Sequence, residues 1–431
     1  MKQKIFRLVA DLRFSIFILL FISFFSILGT VIEQDQSLEI YKMNYPLTNP
    51  VFGFLTWDLI IQFGLDHVYQ TWWFLTLIFL FGLSLISCTF LQQFPSLKIA
   101  RRCQFFRTTS QFYRLRIFTT LETFSFAKIL SRIQKNHYSI FQQKNIIYCY
   151  KGLIGRIAPI LVHFSMILVL LGTIIGSLFG FKAQEIVPKT ESFHIQNIFN
   201  NGQWTIIPKT SARINDFWIT YTKNRTISQF YSDISVLDYQ GNETERKTIS
   251  VNYPLISNPK LAPFYSVYYY QTDWNLIGLR FQNEQNQIIE YPLLNLSNNP
   301  NKIWLTWISN NKFFNEGVIA IVDNLEGYCS IYNETGQFLG NSELNERVIL
   351  KRPFTFLEIL SSTGLQIKTD PGIPIIYSGF FFLMVSTLIS YITYSQIWII
   401  QKNHKLFIGG TTNRAIFDFE LEFLKFIQSN N

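Results

Sequence analysis

Charge is missing from four stretches of this 431-residue chain, and acidic charge is nearly missing from a fifth. Residues 14–32, 72–91, 157–181 and 375–400 contain no Asp, Glu, Lys or Arg. Each is about as long as the roughly 20 residues a helix needs to cross a bilayer's hydrocarbon core. Hydrophobic residues make up 48% of the chain, high for a soluble protein and low for one that is membrane throughout. The expected fold is an integral membrane protein: four transmembrane α-helices plus a large extramembrane domain. Cysteine is scarce too, with four in all and no Cys-x-x-Cys, which excludes a thioredoxin-like dithiol motif and a cysteine zinc site. Cys88 falls in the second apolar run and Cys103 and Cys149 in the acid-poor stretch, while Cys329 stands alone in the long segment after the third run. No phosphate loop, metal cluster or nucleophile motif stands out there.

The acid-poor stretch, residues 98–157, holds twelve Lys and Arg against Glu122 alone, a net of +11 where the whole chain carries +9. Residues 33–71 carry five acidic side chains against Lys42, a net of −4. By the positive-inside rule the basic stretch and both termini lie on the cytoplasmic or stromal side, and residues 33–71 and 182–370 face the other compartment. A basic patch can bind nucleic acid, but beside membrane helices it is expected to set topology, so no nucleic-acid partner is expected. Lys2, Lys4, Arg7 and Arg13 precede the first run. That run exceeds a signal-peptide core and lacks a small-x-small cleavage site, which predicts a retained helix.

The domain reading follows. Residues 1–97 hold two helices and an interfacial loop, 98–156 a basic subdomain, 157–181 the third helix, 182–370 a β-rich domain, 371–400 the fourth helix and 401–431 a tail. Pro95 is expected to break the second helix. The aromatics of residues 52–74 match a helix lying at the far-side interface. Leu121, Phe124, Ile129, Leu130 and Ile133 predict a helix within 123–137, suited to a membrane surface or to packing within the subdomain. Residues 138–141 and 146–150 read as a hairpin. Short strands at 206–207, 217–221, 234–237, 248–251, 267–270, 288–291, 318–322 and 366–367 point to a mainly antiparallel sandwich or barrel between helices three and four.

One ionisable side chain lies inside the third apolar run, His163. Such groups are costly in a membrane and are functional-site candidates by default. It sits seven residues past Arg156, roughly 10 Å inward at a helical rise. Gly172, Gly176 and Gly180 recur at a spacing that lets another helix approach, about half a turn away from His163. Two readings stand. His163 is a buried histidine hydrogen-bonded to a neighbouring helix, or it is an axial ligand to haem iron, for which neutral imidazole is a common donor. His67, in an aromatic belt, is the other cofactor-binding candidate, or a plain interfacial anchor. Its depth is wrong for sharing one iron with His163, so a second ligand to that iron would come from another chain. His194 and His404 read as ordinary.

The order of local motifs is more specific than any one of them. The chain carries LRFSIFILL from Leu12, LGTVIEQDQSLEIYKMNYP from Leu28, FGLDHVYQTWWF from Phe63 and LSLISCTF from Leu83. It continues with GLIGRIAPILVHFSMILVLLGTIIG from Gly152, QFYSDISVLD from Gln229, RKTISVNYPL from Arg246 and YYQTDW from Tyr269. DPGIPIIYSGFFFLMVSTLISY from Asp370 and GGTTNRA from Gly409 complete the set. In this it resembles the ResB-type cytochrome c biogenesis family in its plastid and cyanobacterial form. The resemblance implies a System II subunit that works with CcsA to carry haem b across a membrane and attach it to the Cys-x-x-Cys-His motif of apocytochromes c, cytochrome f among them. It also implies that His163 helps hold the haem together with a histidine of CcsA. The tryptophan-rich motif of CcsA is absent, so CcsA is expected as a separate polypeptide. The implied setting is a plastid thylakoid membrane with both termini stromal, or a cyanobacterial membrane, with lipid as the surrounding partner. No residue must act as acid, base or nucleophile, so no catalytic residue is assigned and the chain reads as a non-catalytic or co-catalytic subunit of a holocytochrome c synthase. The alternatives are a transporter, against which the helices lack repeated halves and broken segments, and a purely structural scaffold.

Overall fold

A computed structural model describes residues 8–122, 125–224, 226–257, 265–296, 303–309, 316–348, 353–402 and 404–428. Lys2, Lys4, Arg7 and Phe124 lie outside the described residues. The chain divides into two compact units, residues 1–175 with 372–431, and residues 176–371.

The first unit holds helices long and apolar enough to cross a membrane: Leu12–Val31, Trp72–Ala100, Ala158–Phe179, which runs on into the second unit, and Ile373–Ser390. Asp11 caps the first, its side chain accepting from the Arg13 N–H at 3.0 Å. Ile18, Phe81 and Leu85 form the seam among the first three, with Met166 and Leu170 packed on it. Ser84 Oγ lies 2.5 Å from Ser15 Oγ and 2.7 Å from the Val9 carbonyl, and Gln92 Nε2 donates to the Ala10 carbonyl at 3.1 Å. These bonds bring the start of the first helix beside the end of the second.

Pro95 does not break the second helix, contrary to expectation. Trp72–Cys88 passes through a π-helical turn, Thr89–Gln93, into Phe94–Ala100. A proline ring clashes with the carbonyl four residues back, and a widened turn just before it moves that carbonyl aside. The interfacial segment differs as well. Instead of one helix over 52–74 there are two short ones, Trp57–Gln62 and a 3-10 turn Val68–Gln70. Gly64 separates them at φ +66°, a left-handed conformation that ends helices.

The larger correction concerns the fourth run. The helix stops at Ser390, and Ser395–Lys402 is a β-strand. It lies at the centre of a five-stranded antiparallel sheet ordered Ile117–Leu121, Lys405–Thr412, Ser395–Lys402, Ile146–Lys151, Ser139–Gln143. One face packs on the helices Phe126–Lys135 and Ile416–Ile427 through Ile129, Ile133, Ile397, Ile399, Phe419 and Phe423. The other carries Phe112, Tyr148, Trp398 and Ile400, with Phe106 stacked on Trp398 at 4.4 Å. A strand buried on both faces reads as an unbroken apolar run, which is why residues 391–400 passed for helix. Residues 404–428 are accordingly part of this sheet and its covering helix, where a tail was expected. The helix Phe126–Lys135 buries its apolar side in this core, the packing alternative of the two left open.

The third and fourth helices are antiparallel neighbours. A Cβ on Gly155 would lie 2.1 Å from the Ile392 carbonyl oxygen, one on Gly379 3.0 Å from the Ser165 carbonyl, and one on Gly172 2.6 Å from Ile376 Cγ1. Contacts climb one helix as they descend the other, so backbones meet along the length through small residues. Arg414 caps the end of the fourth helix, donating to the Ser390 carbonyl at 2.8 Å and Ser390 Oγ at 3.0 Å.

The second unit is antiparallel β. A seven-stranded sheet is built on two long strands, Val267–Asn283 and Phe354–Thr369, which pair along their length, with Phe181–Pro188 beside the latter. A four-stranded sheet (Ser192–His194, Ser211–Tyr221, Ile227–Leu237, Glu243–Ser250) and a five-stranded one from Leu294–Asn295 to Phe338–Glu343 complete it. Its two cores centre on Ile214, Ile234 and Ile367, and on Trp274, Trp304 and Phe356. The expected strands at 267–270 and 366–367 are ends of much longer ones. Register shifts between Gln271 and Asp273 and between Leu276 and Gly278 flip the inward face of the first long strand, and the shift between Arg280 and Phe281 flips that of the second, which breaks the alternation a sequence reading follows. Residues 206–207 form no strand.

Candidate functional site

His163 lies on the third helix, half-buried, opposite the π turn of the second. Its Nδ1 is 2.9 Å from Thr89 Oγ1. The Thr89 hydroxyl in turn donates to the Leu85 carbonyl at 2.7 Å, and a hydroxyl has one hydrogen to give. The Thr89 oxygen therefore accepts from His163 Nδ1–H, and Nε2 retains its lone pair. A neutral histidine held at one nitrogen by a neighbouring group, with the other nitrogen free to donate, is the form that binds a metal. The donor set thus fits one axial position of a haem iron, and equally makes a polar tie between two helices.

The glycines lie elsewhere. Gly172 meets Ile376 and Gly372, the Cβ position of Gly176 is 2.5 Å from Asp370 Oδ1, and that of Gly180, one residue past the helix, is 2.9 Å from the Thr369 carbonyl oxygen. His67 does not join His163. It precedes Trp72, and Thr89 is 17 residues further along the second helix, about 25 Å at a helical rise. Its Nδ1 sits 2.9 Å from Asp66 Oδ1, with about half the side chain exposed. His194 ends an edge strand and His404 sits in a hairpin turn, both exposed. Among the described residues no group of three or more His, Cys, Asp or Glu is placed to hold a metal ion.

Thr89 was not among the sequence candidates. The signal that could have found it is the series Thr89, Gln92 and Ser96, at i, i+3, i+7 spacing where the second apolar run ends.

The described cysteines are all free thiols. Burial pushes Cys149 and Cys329 up to about 12, so neither is a thiolate near neutral pH, whereas Cys103 is exposed. At pH 8 maleimide should label Cys103 in the folded protein and reach Cys149 and Cys329 only after denaturation, read by mass spectrometry of the peptides. Full labelling of all three before denaturation would mean that those cores are open.

A model of the ResB-like family matches residues 12–312 and 322–424. The chain is 79% identical over 428 residues to the cytochrome c biogenesis protein Ccs1 of Phaeodactylum tricornutum, covering 99% of this chain and 100% of that one. It is 67% identical over 428 residues to the protein of the same name from Thalassiosira pseudonana, with the same coverage. With the cytochrome c biogenesis protein CcsB of Trichormus variabilis it shares 43% identity over 438 residues, 99% of this chain and 93% of that one.

Proposed function

The chain belongs to the ResB-like family, and from that membership we propose that it is a multi-pass membrane subunit of the System II cytochrome c maturation machinery. Working with CcsA, it passes haem b, as cargo, across the membrane for thioether attachment to Cys-x-x-Cys-His apocytochromes c, cytochrome f among them. The names of its relatives support the pathway. Four apolar helices support the membrane setting. The +11 stretch supports a stromal or cytoplasmic side for the five-stranded sheet, in a thylakoid or cyanobacterial membrane.

In this reading His163 Nε2 is one axial ligand of the cargo iron, and CcsA supplies the other. The observation that carries it is the commitment of Nδ1 to Thr89, which orients the ring and leaves Nε2 as donor. The role of this chain is then to bind and orient, and no acid, base or nucleophile is asked of it.

The test is the visible spectrum of the complex purified with its partner. Wild type is expected to retain a six-coordinate haem. His163→Ala should lose most of it, recover part with added imidazole, and lower holocytochrome c at least tenfold. Thr89→Val, which removes the group that directs the ring, should cost about tenfold in haem affinity. If His163→Ala retains full haem and normal holocytochrome c, the second reading holds, in which His163 and Thr89 only tie two helices together.

A further inference from the structure

Arg156 sits just ahead of the third helix, seven residues before His163. Its guanidinium carbon lies 5.0 Å from the centre of the Tyr394 ring. Its Nε is buried and, among the described residues, has no hydrogen-bond partner. A guanidinium stays charged at any physiological pH, and a buried N–H without an acceptor is costly. The Tyr394 face offsets part of that cost. Tyr394 supplies no anion, since burial pushes its hydroxyl far above the usual range and that hydroxyl donates to the Ala100 carbonyl at 3.0 Å.

Beside Arg156 is a cavity of about 300 Å³ whose polar lining is Gln92, Ser96, Gln104, Arg156 and Gln396, with Tyr394 as its aromatic wall. That lining holds donors and a cation and no carboxylate. The cavity is lined by the same stretch of the second helix that, three residues earlier, holds the partner of His163. Gln92 and Ser96 line it three and seven residues after Thr89, and Arg156 ends a 3-10 turn seven residues before His163. The separation is roughly 10 Å along the helix axis, comparable with the reach from a haem iron to the propionate edge of its porphyrin.

We infer that this cavity receives a carboxylate: a propionate of the haem whose iron His163 holds, paired with the fork of Arg156 and the amides of Gln92 and Gln104. The inference rests on His163 as iron ligand and adds to it the orientation of the cargo, propionate edge toward the five-stranded sheet. An Arg–carboxylate pair is bidentate and directional, so Arg156 is a positioning residue that sets which way the porphyrin enters.

The experiment titrates the full-length protein, co-purified with its partner and depleted of haem, with haem and with haem dimethyl ester, whose propionates carry no charge. It is run in nanodiscs of phosphatidylcholine with and without phosphatidylglycerol. Wild type is expected to bind haem at least tenfold more tightly than the diester in both lipids. Arg156→Gln should bring the two ligands to equal affinity by weakening haem alone. Arg156→Lys, which keeps the charge and the membrane orientation but not the fork, should retain part of the preference. An unchanged preference in Arg156→Gln overturns the inference. So does an equal loss for both ligands that appears only with phosphatidylglycerol, which assigns the cavity to a lipid phosphate. His163→Ala, read by the coordination spectrum, separates the two readings. If that spectrum is unaltered while the ester preference still depends on Arg156, the iron assignment fails and the carboxylate site stands.

Discussion

Gly155→Val will leave almost no folded protein in the membrane fraction, and Gly152→Val will come close to it. A Cβ at Gly155 would sit 2.1 Å from the Ile392 carbonyl oxygen, and one at Gly152 2.0 Å from that of Thr393, with Gly152 also at φ +75°. Both obstacles are backbone, so no side chain can swing away. They belong to the turn between the fourth helix and the strand Ser395–Lys402, whose next residues are in register with Ile146–Lys151. Moving the turn far enough for a valine would pull that strand out of pairing or part the third and fourth helices. The combined cost is about 4 kcal/mol or more, at the exceptional end for one substitution. Immunoblotting of membranes with limited proteolysis reads the outcome. Gly82→Ala is the control, since its added methyl meets only Leu170 Cδ1, at 3.8 Å. Wild-type amounts of protease-resistant Gly155→Val protein would falsify this account of the joint.

The second large effect is expected in the β unit. Trp304 is fully buried, its ring centre 5.0 Å from that of Trp274, and its Nε1 donates to Asn275 Oδ1 at 2.7 Å. Trp304→Ala removes a large buried side chain and strands the Asn275 amide oxygen, for about 3–5 kcal/mol. In a unit of this size that lowers the melting temperature by roughly 10 °C. Trp304→Phe, which keeps most of the volume and loses the bond, should cost about 1–3 kcal/mol. Differential scanning fluorimetry of the purified full chain separates the two. Equal shifts for both variants would assign the whole effect to the hydrogen bond rather than to packing.

Legibility in the sequence followed physical environment. Helices one and three read true because an apolar run surrounded by charge has few other uses. The fourth run misled because two environments join without a polar break: an apolar helix surface ending at Ser390 and a two-sided strand core containing Ile397, Trp398, Ile399 and Ile400. The long strands were concealed by bulges that reverse their faces. Of the candidate site, His163 was visible as an isolated ionisable group. Its partner Thr89 was not, because that contact spans 74 residues and depends on a π turn that Pro95 demands. Arg156 stood out in the sequence only as one basic residue among twelve and as the depth mark for His163. Its buried Nε and the Tyr394 ring over it arise from strands that return from the far end of the chain.

That return has a consequence for how the molecule is made. Ile146–Lys151 leaves the ribosome 244 residues before its sheet neighbour Ser395, a delay on the order of tens of seconds at ordinary elongation rates. Throughout it, one side of that strand is an unpaired edge and its apolar faces are uncovered. The third helix, the whole β unit and the fourth helix must all be synthesised before Ser395–Lys402 can close the sheet. The nascent chain therefore carries its own marker of incompleteness: an open edge that invites chaperone holding or proteolysis until the segment beyond the fourth helix arrives.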